Sequence, residues 1–241
     1  MDATGDNGWE ASAQAWIADM GGGGDHSRRR ILDAPMLERV DARPVRTAVD
    51  VGCGEGRFCR MLCARGIEAV GIEPTPALRE RARSLDPAGD YRDGRAEALD
   101  MPDGSFDLAV SYLVLIDVAE FRKAIAEMAR VVRPGGALLV ANLSCHFTAA
   151  QEQGPVRSLL RRFGLSRIRD YSGERGQWVG WRGIRIVNWH RPLGAYIQEY
   201  LRHGLILRHF EEPLIPDPRD ADERRYNNAP WFTIMEWEKP A

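Results

Sequence analysis

The sequence predicts an α/β fold in which a mostly parallel sheet carries helices on both faces. Short apolar, β-branched runs alternate along the chain with helix-like stretches, and strands separated by helices imply right-handed crossovers. A length of 241 residues suits one such domain with room for an insertion. The predicted strands lie near 47–51, 68–73, 89–93, 106–112 and 136–143, and the predicted helices near 56–65, 76–84 and 120–132.

The first predicted strand ends in a glycine-rich turn. Thr47 to Val51 is followed by glycines at alternate positions up to Gly56, and helix-like sequence begins at Arg57. Glycines in such a turn can adopt positive φ and let a bulky ligand lie against the backbone. The second strand ends in Glu73, and a carboxylate at that tip is placed to accept hydrogen bonds from two ribose hydroxyls. The pattern therefore predicts a nucleoside-binding sheet edge.

The glycine spacing disfavours a dinucleotide site. The turn reads G-x-G-x-G, and the third glycine of G-x-G-x-x-G would fall at Arg57. That glycine allows close helix–strand packing, which an arginine side chain prevents. The turn also lacks the Lys-Ser/Thr of a P-loop. A nicotinamide-dependent oxidoreductase is therefore kept only as an alternative.

The last fifty residues add one helix and two strands to the prediction. A helix is expected from Pro192 to about His203, because proline suits the first helical turn. Strands follow near 205–211 and 231–237. The segment between them, 213–230, is rich in Pro, Asp and Arg and is predicted to be a surface loop.

Two segments lie outside this alternating pattern. The first, 9–40, contains helix-like sequence broken by a glycine run at 21–24, which predicts a flexible joint. The second, 144–190, follows the fifth strand, and we expect some of its aromatic rings to pack in a small core and others to face a pocket. Its tryptophans are Trp178, Trp181 and Trp189.

Composition and charge argue against several classes of protein. Hydrophobic and charged fractions of 44% and 28% are ordinary for a globular protein, and a net charge of −2 gives no general attraction to nucleic acid or anionic membrane. No apolar stretch approaches the ~20 residues that span a bilayer. The four cysteines suggest neither a disulfide framework nor a metal site, and the N-terminus lacks the apolar core of a secretory signal, so a reducing cytoplasm is expected. Arginines between 157 and 169 are interpreted as a solvated helix face.

Four segments together resemble the class I S-adenosylmethionine-dependent methyltransferases, in their small-molecule branch. The resemblance is good from about Trp9 to Leu143 and looser from Arg191 onward. It implies a Rossmann-like, seven-stranded, mostly parallel sheet with helices on both faces, an antiparallel last strand and a cap insertion. The segments are Ala48–Gly56, Val70–Pro74, Gly94–Asp107 and Ala129–Gly136.

The resemblance also implies a division of the chain into four parts. An N-terminal helical lid covers 1–46, and the cofactor-binding α/β core covers 47–143. A substrate cap covers 144–190, and residues 191–241 complete the core sheet. We expect the lid and the cap to close together over the site, with Trp16 contributing from the lid.

S-adenosylmethionine is the cofactor that the resemblance implies, and S-adenosylhomocysteine is the product. Glu73 is expected to bind the ribose and Arg28 the cofactor carboxylate, although Arg29 and Arg30 stay open as alternatives because guanidinium groups suit a carboxylate equally well. The full set of expected cofactor-binding residues is Trp16, Arg28, Asp50, Gly52, Cys53, Gly54, Gly56, Glu73, Pro74, Ala96, Glu97, Tyr112 and Leu113.

The chain departs from the family at the adenine contact. Related sequences often have Gly-Asp-Ala-Glu where this chain has Gly94-Arg95-Ala96-Glu97. An arginine cannot accept a hydrogen bond from the adenine amino group. Asp93, Glu97 or a backbone carbonyl is expected to accept it instead, or else packing holds the ring.

Candidates for a base or a substrate-orienting group are Asp117, His146 and His190. The first two follow the fourth and fifth strands at the ligand-facing edge, and histidine can accept a proton near neutral pH. The expected activity is methyl transfer to an O or N atom of a small, flat or aromatic molecule, with neither nucleic acid nor membrane as partner and a homodimer as a possible assembly. A non-catalytic cofactor-binding protein is the other alternative.

Overall fold

A computed structural model of the chain describes residues 7–21, 23–150, 168 and 170–241. The predicted cluster of arginines between 157 and 169 lies outside these ranges. The strands are β1 (Thr47–Val51), β2 (Glu68–Ile72), β3 (Asp90–Arg92), β4 (Phe106–Tyr112), β5 (Val132–Leu143), β6 (Arg175–Trp181), β7 (Ile184–His190), β8 (Ile206–Glu211) and β9 (Phe232–Glu238).

Seven of these strands form one sheet in the order β3-β2-β1-β4-β5-β9-β8. The first five strands in this order, β3, β2, β1, β4 and β5, are parallel to one another. Strand β9 runs antiparallel to both of its neighbours, β5 and β8. This arrangement confirms the predicted fold class. The chain order reverses between β1 and β4, and ligands of open α/β sheets bind outside the carboxyl ends of the strands at such a switch point.

Helices cover both faces of the sheet, and each face buries an apolar core. The clearest example is the helix after β4, in which Phe121, Ile125 and Met128 recur at helical spacing and are fully buried. The helices are α1 (Trp9–Met20), a π-helical turn (Arg28–Leu32), α2 (Asp33–Asp41), α3 (Arg57–Cys63), α4 (Pro76–Leu85), α5 (Phe121–Val131), α6 (Cys145–Ala149), α7 (Leu193–Arg202) and α8 (Ala221–Tyr226). Within the described residues, none of them has the length and apolarity needed to cross a bilayer.

The expected surface loop at 213–230 contains the short helix α8, so that prediction was wrong for its second half. The side chain of Asp220 caps the helix by accepting a hydrogen bond from the Glu223 backbone N–H at 2.8 Å. Glu223 in turn accepts two hydrogen bonds from the Arg30 guanidinium, at 2.9 and 3.1 Å. The helix thereby fastens the N-terminal segment to the C-terminal part of the chain.

The hairpin of β6 and β7 packs against α1. Its two strands are joined by the two-residue turn Arg182–Gly183, in which both residues have positive φ, as hairpin twist favours. The Val187 N–H donates to the Asn7 carbonyl at 2.9 Å, and Ser12 Oγ bonds both the N–H and the carbonyl of Arg185. The N-terminal helix and the hairpin therefore form one continuous structure above the sheet.

Candidate cofactor and acceptor site

A cavity of about 720 Å³ opens at the carboxyl ends of β1, β2 and β4, below α1 and the hairpin. It lies at the switch point of the sheet, where the glycine-turn pattern places a ligand. The expected site residues that line it are Trp16, Arg28, Gly52, Gly54, Glu73, Pro74, Ala96, Glu97, Tyr112, Leu113 and Asp117.

The glycine turn needs its glycines for two separate reasons. Gly52 and Gly54 have φ of +77° and +56°, a region that residues with a Cβ adopt only with strain. A Cβ on Gly52 would also lie 2.5 Å from Val114 Cγ1, and one on Gly54 would lie 3.0 Å from the Trp16 ring. The turn is fixed to β2, because the N–H groups of Gly52 and Cys53 both donate to the Ile72 carbonyl.

The Glu73 carboxylate also binds the glycine turn, through a hydrogen bond. One carboxylate oxygen accepts from the Gly54 N–H at 3.0 Å, and the other accepts from the Thr75 N–H at 2.8 Å. The residue is only 5% exposed, and burial raises the pKa of its carboxyl. Each oxygen keeps a second acceptor position, so the carboxylate can still receive two hydroxyl groups from a ligand that enters the cavity.

A second, smaller pocket of about 40 Å³ continues from the cavity beside Trp16, Arg28 and Tyr112. Asp50 and Cys53 border this pocket rather than the main cavity. The Oδ1 atom of Asp50 is buried and has no hydrogen-bond partner among the described residues. Burial raises the pKa of the Asp50 carboxyl to about 7. A buried acceptor without a donor is an expected feature of a site that receives a ligand with N–H groups.

Gly56 does not line the cavity or the smaller pocket, contrary to expectation. A Cβ at this position would overlap the Tyr91 ring, so the glycine allows close packing of α3 on the sheet. Arg57, at the position of the missing third glycine, points toward the N-terminal segment. Its guanidinium makes a bidentate pair with Asp33 at 2.8 and 2.6 Å, and Asp33 also accepts from the Tyr112 hydroxyl at 2.9 Å.

Arg28 is the one of three neighbouring arginines that lines the cavity. It pairs with Asp25, and its guanidinium carbon lies 5.9 Å from the centre of the Trp16 ring and 5.5 Å from that of Tyr112. Arg29 is exposed, and Arg30 is engaged by the helix α8. Arg28 therefore remains the candidate for a ligand carboxylate.

The adenine end of the expected site has one acid that reaches the cavity. Glu97 lines it, together with Arg95, whose guanidinium lies 3.5 Å from a Glu97 carboxylate oxygen. Asp93 is 74% exposed at its side chain and is bridged by Arg79 at 2.9 Å, outside the cavity lining. Of the two acids considered from the sequence, Glu97 is the one in position.

Asp117 also lines the cavity, on the loop after β4. Its Oδ2 atom accepts from the Trp9 indole N–H at 3.2 Å, and its Oδ1 atom accepts from the Asn188 amide at 2.5 Å. Burial raises the pKa of this carboxyl to about 8; the two hydrogen bonds and the charge of Arg28 oppose the increase, and the charge of Glu73 adds to it. The loop starts at Leu113, which lines the cavity with φ of +61°.

The two candidate histidines are not among the described residues that line the cavity. His190 is fully buried, with Nδ1 2.8 Å from Thr148 Oγ1 and Nε2 2.9 Å from the Tyr171 carbonyl oxygen, so both ring nitrogens are occupied. Burial lowers its pKa. His146 is exposed and stacks on Tyr171 with 5.5 Å between ring centres. Neither histidine is therefore in contact with the cavity among the described residues, and the predicted catalytic role of both stays a prediction.

Four tryptophan rings surround the cavity, but they are not all the ones expected. Trp181 is 42% exposed and lies outside the lining, because its position on β6 places it near the tip of the hairpin. The sequence reasoning missed Trp9, whose only signal was its proximity to Trp16 in one helix. The four rings that line the cavity are Trp9, Trp16, Trp178 and Trp189.

Arg191 attaches the Asp117 loop to the structure below it. Its buried guanidinium donates to the carbonyl groups of Leu115, Val118 and Ala119 at 2.6–3.0 Å. Arg191, which directly follows β7 in sequence, therefore stabilises the loop that places Asp117 at the cavity.

Comparison with known proteins agrees with this geometry. Residues 49–140 match the model of a family described as a methyltransferase domain. The chain is 34% identical over 116 residues to a malonyl-[acyl-carrier protein] O-methyltransferase of Serratia marcescens, over 48% of this chain and 46% of the relative. It is 34% identical over 117 residues to a demethylmenaquinone methyltransferase of Renibacterium salmoninarum, over 48% and 47%. The chain thus spans about half the length of these curated relatives.

The solved structures extend the similarity to most of the chain. A crystal structure of an S-adenosylmethionine-dependent methyltransferase from Mesorhizobium loti superposes with a TM-score of 0.72 and 25% identity, over 84% of this chain and 95% of the other. A putative methyltransferase from Listeria monocytogenes gives a TM-score of 0.71 at 18% identity, over 86% and 98%, which supports the fold. Residues 49–140 therefore match a methyltransferase domain, and the fold of most of the chain is similar to that of an S-adenosylmethionine-dependent methyltransferase.

Proposed function

We propose that this protein transfers a methyl group from S-adenosylmethionine to an O or N atom of a small, flat or aromatic molecule. The observation that carries the proposal is a cavity lined both by nucleoside-binding groups and by tryptophan rings. We assign the glycine turn and Glu73 to a first, cofactor end, and Trp9, Trp178 and Trp189 to a second, acceptor end.

The residues of the first end fit the cofactor. Glu73 offers acceptor positions for the ribose hydroxyls, and Glu97 is in position for the adenine amino group. Asp50 and Arg28 border the small pocket together, so a carboxyl group with one unbonded oxygen and a guanidinium are available to the ammonium and carboxylate of an amino-acid tail. The unbonded oxygen of Asp50 and the nearby Arg28 guanidinium support placing the amino-acid tail of the cofactor in this pocket.

When bound, S-adenosylmethionine supplies an activated methyl group on a sulfonium; the protein supplies position and electrostatics. Positioning alone can lower the barrier of a displacement by roughly 7–11 kcal/mol in favourable systems. Here the enclosing walls of α1 and the hairpin would exclude water and align the acceptor. Asp117 is one of the polar groups beside the tryptophan rings and is the candidate to receive a proton.

The enclosure supports closure of the lid and the cap as a unit. Ala13 and Trp16 of α1 share an apolar cluster with Ile184 and Ile186 of the hairpin. We propose that these two segments open and close together when the acceptor enters, as active-site lids commonly do. Tryptophan fluorescence should then change more with cofactor and acceptor together than with cofactor alone.

Transfer of a labelled methyl group from S-adenosylmethionine to a panel of small phenols, amines and carboxylic acids tests the proposal. Incorporation into any of them above a no-enzyme control is the expected result. Binding of S-adenosylhomocysteine without transfer to any acceptor would favour a non-catalytic cofactor-binding protein instead.

A further inference from the structure

The acceptor end of the cavity contains a carboxylate whose hydrogen-bond partners are both neutral. Trp9 donates an indole N–H to one oxygen of Asp117, and Asn188 donates an amide N–H to the other. No arginine, lysine or histidine among the described residues forms an ion pair with it. A partly buried carboxylate without a cation is costly, so proteins generally pair it or use it.

The other acid at this end is already neutralised. Glu174 lines the cavity, but it pairs with the Arg122 guanidinium and lies 3.8 Å from Nε of the buried Arg191. Arg28 acts on Asp117 through space, and it is itself paired with Asp25. In the described part of the chain, the acceptor end therefore contains one acid without an ion-pair partner, while Arg175, which also lines the cavity, donates to the Asp170 carbonyl. The raised pKa keeps Asp117 protonated in the free site up to about pH 8, and a bound ammonium ion would favour its ionised form.

Aromatic rings lie beside that acid. The Trp9 ring is fixed next to the Asp117 carboxylate by the hydrogen bond between them, and Trp178 and Trp189 line the same region. Two of these rings already attract cations: the Arg185 guanidinium lies 4.2 Å from the Trp178 ring centre and that of Arg191 lies 5.0 Å from Trp189. Aromatic walls around a carboxylate are the usual recognition chemistry for organic ammonium ions.

We propose that the acceptor is an amine that enters as its ammonium ion and is held by the Asp117 carboxylate between the tryptophan rings. The inference rests on the proposed function and names its substrate class. A carboxylate acceptor would bring a second acid against Asp117 and would gain no ion pair from it. Asp117 is bonded from α1 on one side and from β7 on the other, so the ammonium ion would sit where lid, hairpin and β4 loop meet.

The transfer balances in atoms and electrons. The ammonium nitrogen gives one proton to the Asp117 carboxylate and thereby exposes its lone pair. The nitrogen then forms a bond to the methyl carbon while the methyl–sulfur bond breaks and the sulfur keeps the electron pair. The product leaves as a methylated ammonium ion, and the proton on Asp117 passes to solvent when the site opens.

Binding of a charge series to the protein saturated with S-adenosylhomocysteine tests the proposal. The probes are 2-phenylethylamine, 2-phenylethanol and 3-phenylpropanoate, which share a ring and a short chain but differ in charge. By calorimetry the cation should bind about 10- to 100-fold more tightly than the neutral alcohol, as expected for a hydrogen bond to a charged group. The carboxylate should bind most weakly.

Asp117→Asn should abolish this preference, and Glu174→Gln is the matched control that should keep it. Equal binding of cation and alcohol by the unmodified protein, or no binding of the cation, overturns the inference. An unchanged preference in Asp117→Asn does so too.

A separate measurement compares S-adenosylmethionine with S-adenosylhomocysteine in Asp117→Asn. A selective loss of affinity for the former would assign the carboxylate to the sulfonium instead and overturn the inference. Failure of either cofactor form to bind the unmodified protein would contradict the proposed function itself. Cofactor binding without charge preference would contradict only the amine assignment.

Discussion

Glu73 is proposed to do two things: it holds the glycine turn, and it accepts hydrogen bonds from ligand hydroxyls. Substitution of Glu73 by glutamine tests both. The carboxylate accepts one backbone N–H on each oxygen, from Gly54 and Thr75. A glutamine amide can accept only one of them and presents an N–H₂ group to the other donor. Both the turn and the ligand contacts should therefore weaken in Glu73→Gln.

The magnitudes follow from the number of hydrogen bonds lost. Losing the acceptor for one backbone N–H should lower the free energy of unfolding by about 1 kcal/mol, the typical net value of one hydrogen bond. Losing charge-assisted bonds to the ribose hydroxyls should weaken binding of S-adenosylhomocysteine by roughly 1–3 kcal/mol, or about 5- to 150-fold. The binding loss in Glu73→Gln should thus equal or exceed its stability loss.

Calorimetric titration with S-adenosylhomocysteine and urea unfolding of the same preparations measure both quantities. Asp93→Asn is the matched control, because it also removes one negative charge at a strand end but at an exposed pair with Arg79. Its effect on either quantity should stay within about 0.5 kcal/mol, since exposed ion pairs contribute little. Unchanged cofactor affinity in Glu73→Gln would show that the ribose is held elsewhere and would refute this reasoning.

Three further substitutions test other contacts. Arg57→Met removes the bidentate pair with Asp33 and the 3.0 Å hydrogen bond from Arg57 Nε to the Gly23 carbonyl. It should lower the free energy of unfolding by about 1–3 kcal/mol and speed proteolysis at 21–24, and unchanged cleavage there would contradict a role of Arg57 in holding the glycine run. The unmodified protein binds the Asp117 proton more tightly when folded, so between the ordinary pKa of 3.8 and about 8 its unfolding free energy should fall as pH rises, by up to about 1.4 kcal/mol per pH unit. Asp117→Asn should reduce this slope in thermal unfolding, part of what remains coming from the raised pKa of Asp50, and an identical pH profile would refute the assignment. Arg191→Met leaves buried carbonyl groups without their donor and should cost about 3–5 kcal/mol by urea unfolding, whereas a loss below about 1 kcal/mol would contradict its anchoring role.

The sequence was sufficient for the parts of the fold that local chemistry determines. The bounds of β1 and β4 agree with the predicted runs, and the glycine turn with Glu73 lies at the expected sheet edge. Alternation of apolar residues and the φ that a tight turn requires are properties of neighbouring residues. They can therefore be read without tertiary information.

Two elements were missed although their signals are local. Asp220 and Glu223 have the spacing of a capping box, but the prolines at either end of their segment favoured a loop. Arg182–Gly183 suits a two-residue hairpin turn, yet the flanking strands contain several polar residues and alternate weakly. In both cases the local signal is weak, and contacts with the N-terminal segment stabilise the element.

The remaining differences at the site concern contacts between distant segments. His190 is suited to proton transfer by residue type, but Thr148 and the Tyr171 carbonyl occupy its ring nitrogens. Asp117 is at the cavity as expected, whereas its partners Trp9 and Asn188 come from more than seventy positions away in either direction. No periodicity or spacing in one sequence encodes such pairings.

The most direct test of the whole account is a parallel titration of the unmodified protein with S-adenosylhomocysteine and with NAD. The geometry of the glycine turn, Glu73 and the Asp50–Arg28 pocket predicts stoichiometric binding of S-adenosylhomocysteine and no measurable binding of NAD. Arg57, which is paired with Asp33, occupies the position where a dinucleotide-binding turn has its third glycine. Preferential binding of NAD, or no binding of S-adenosylhomocysteine, would contradict the central claim.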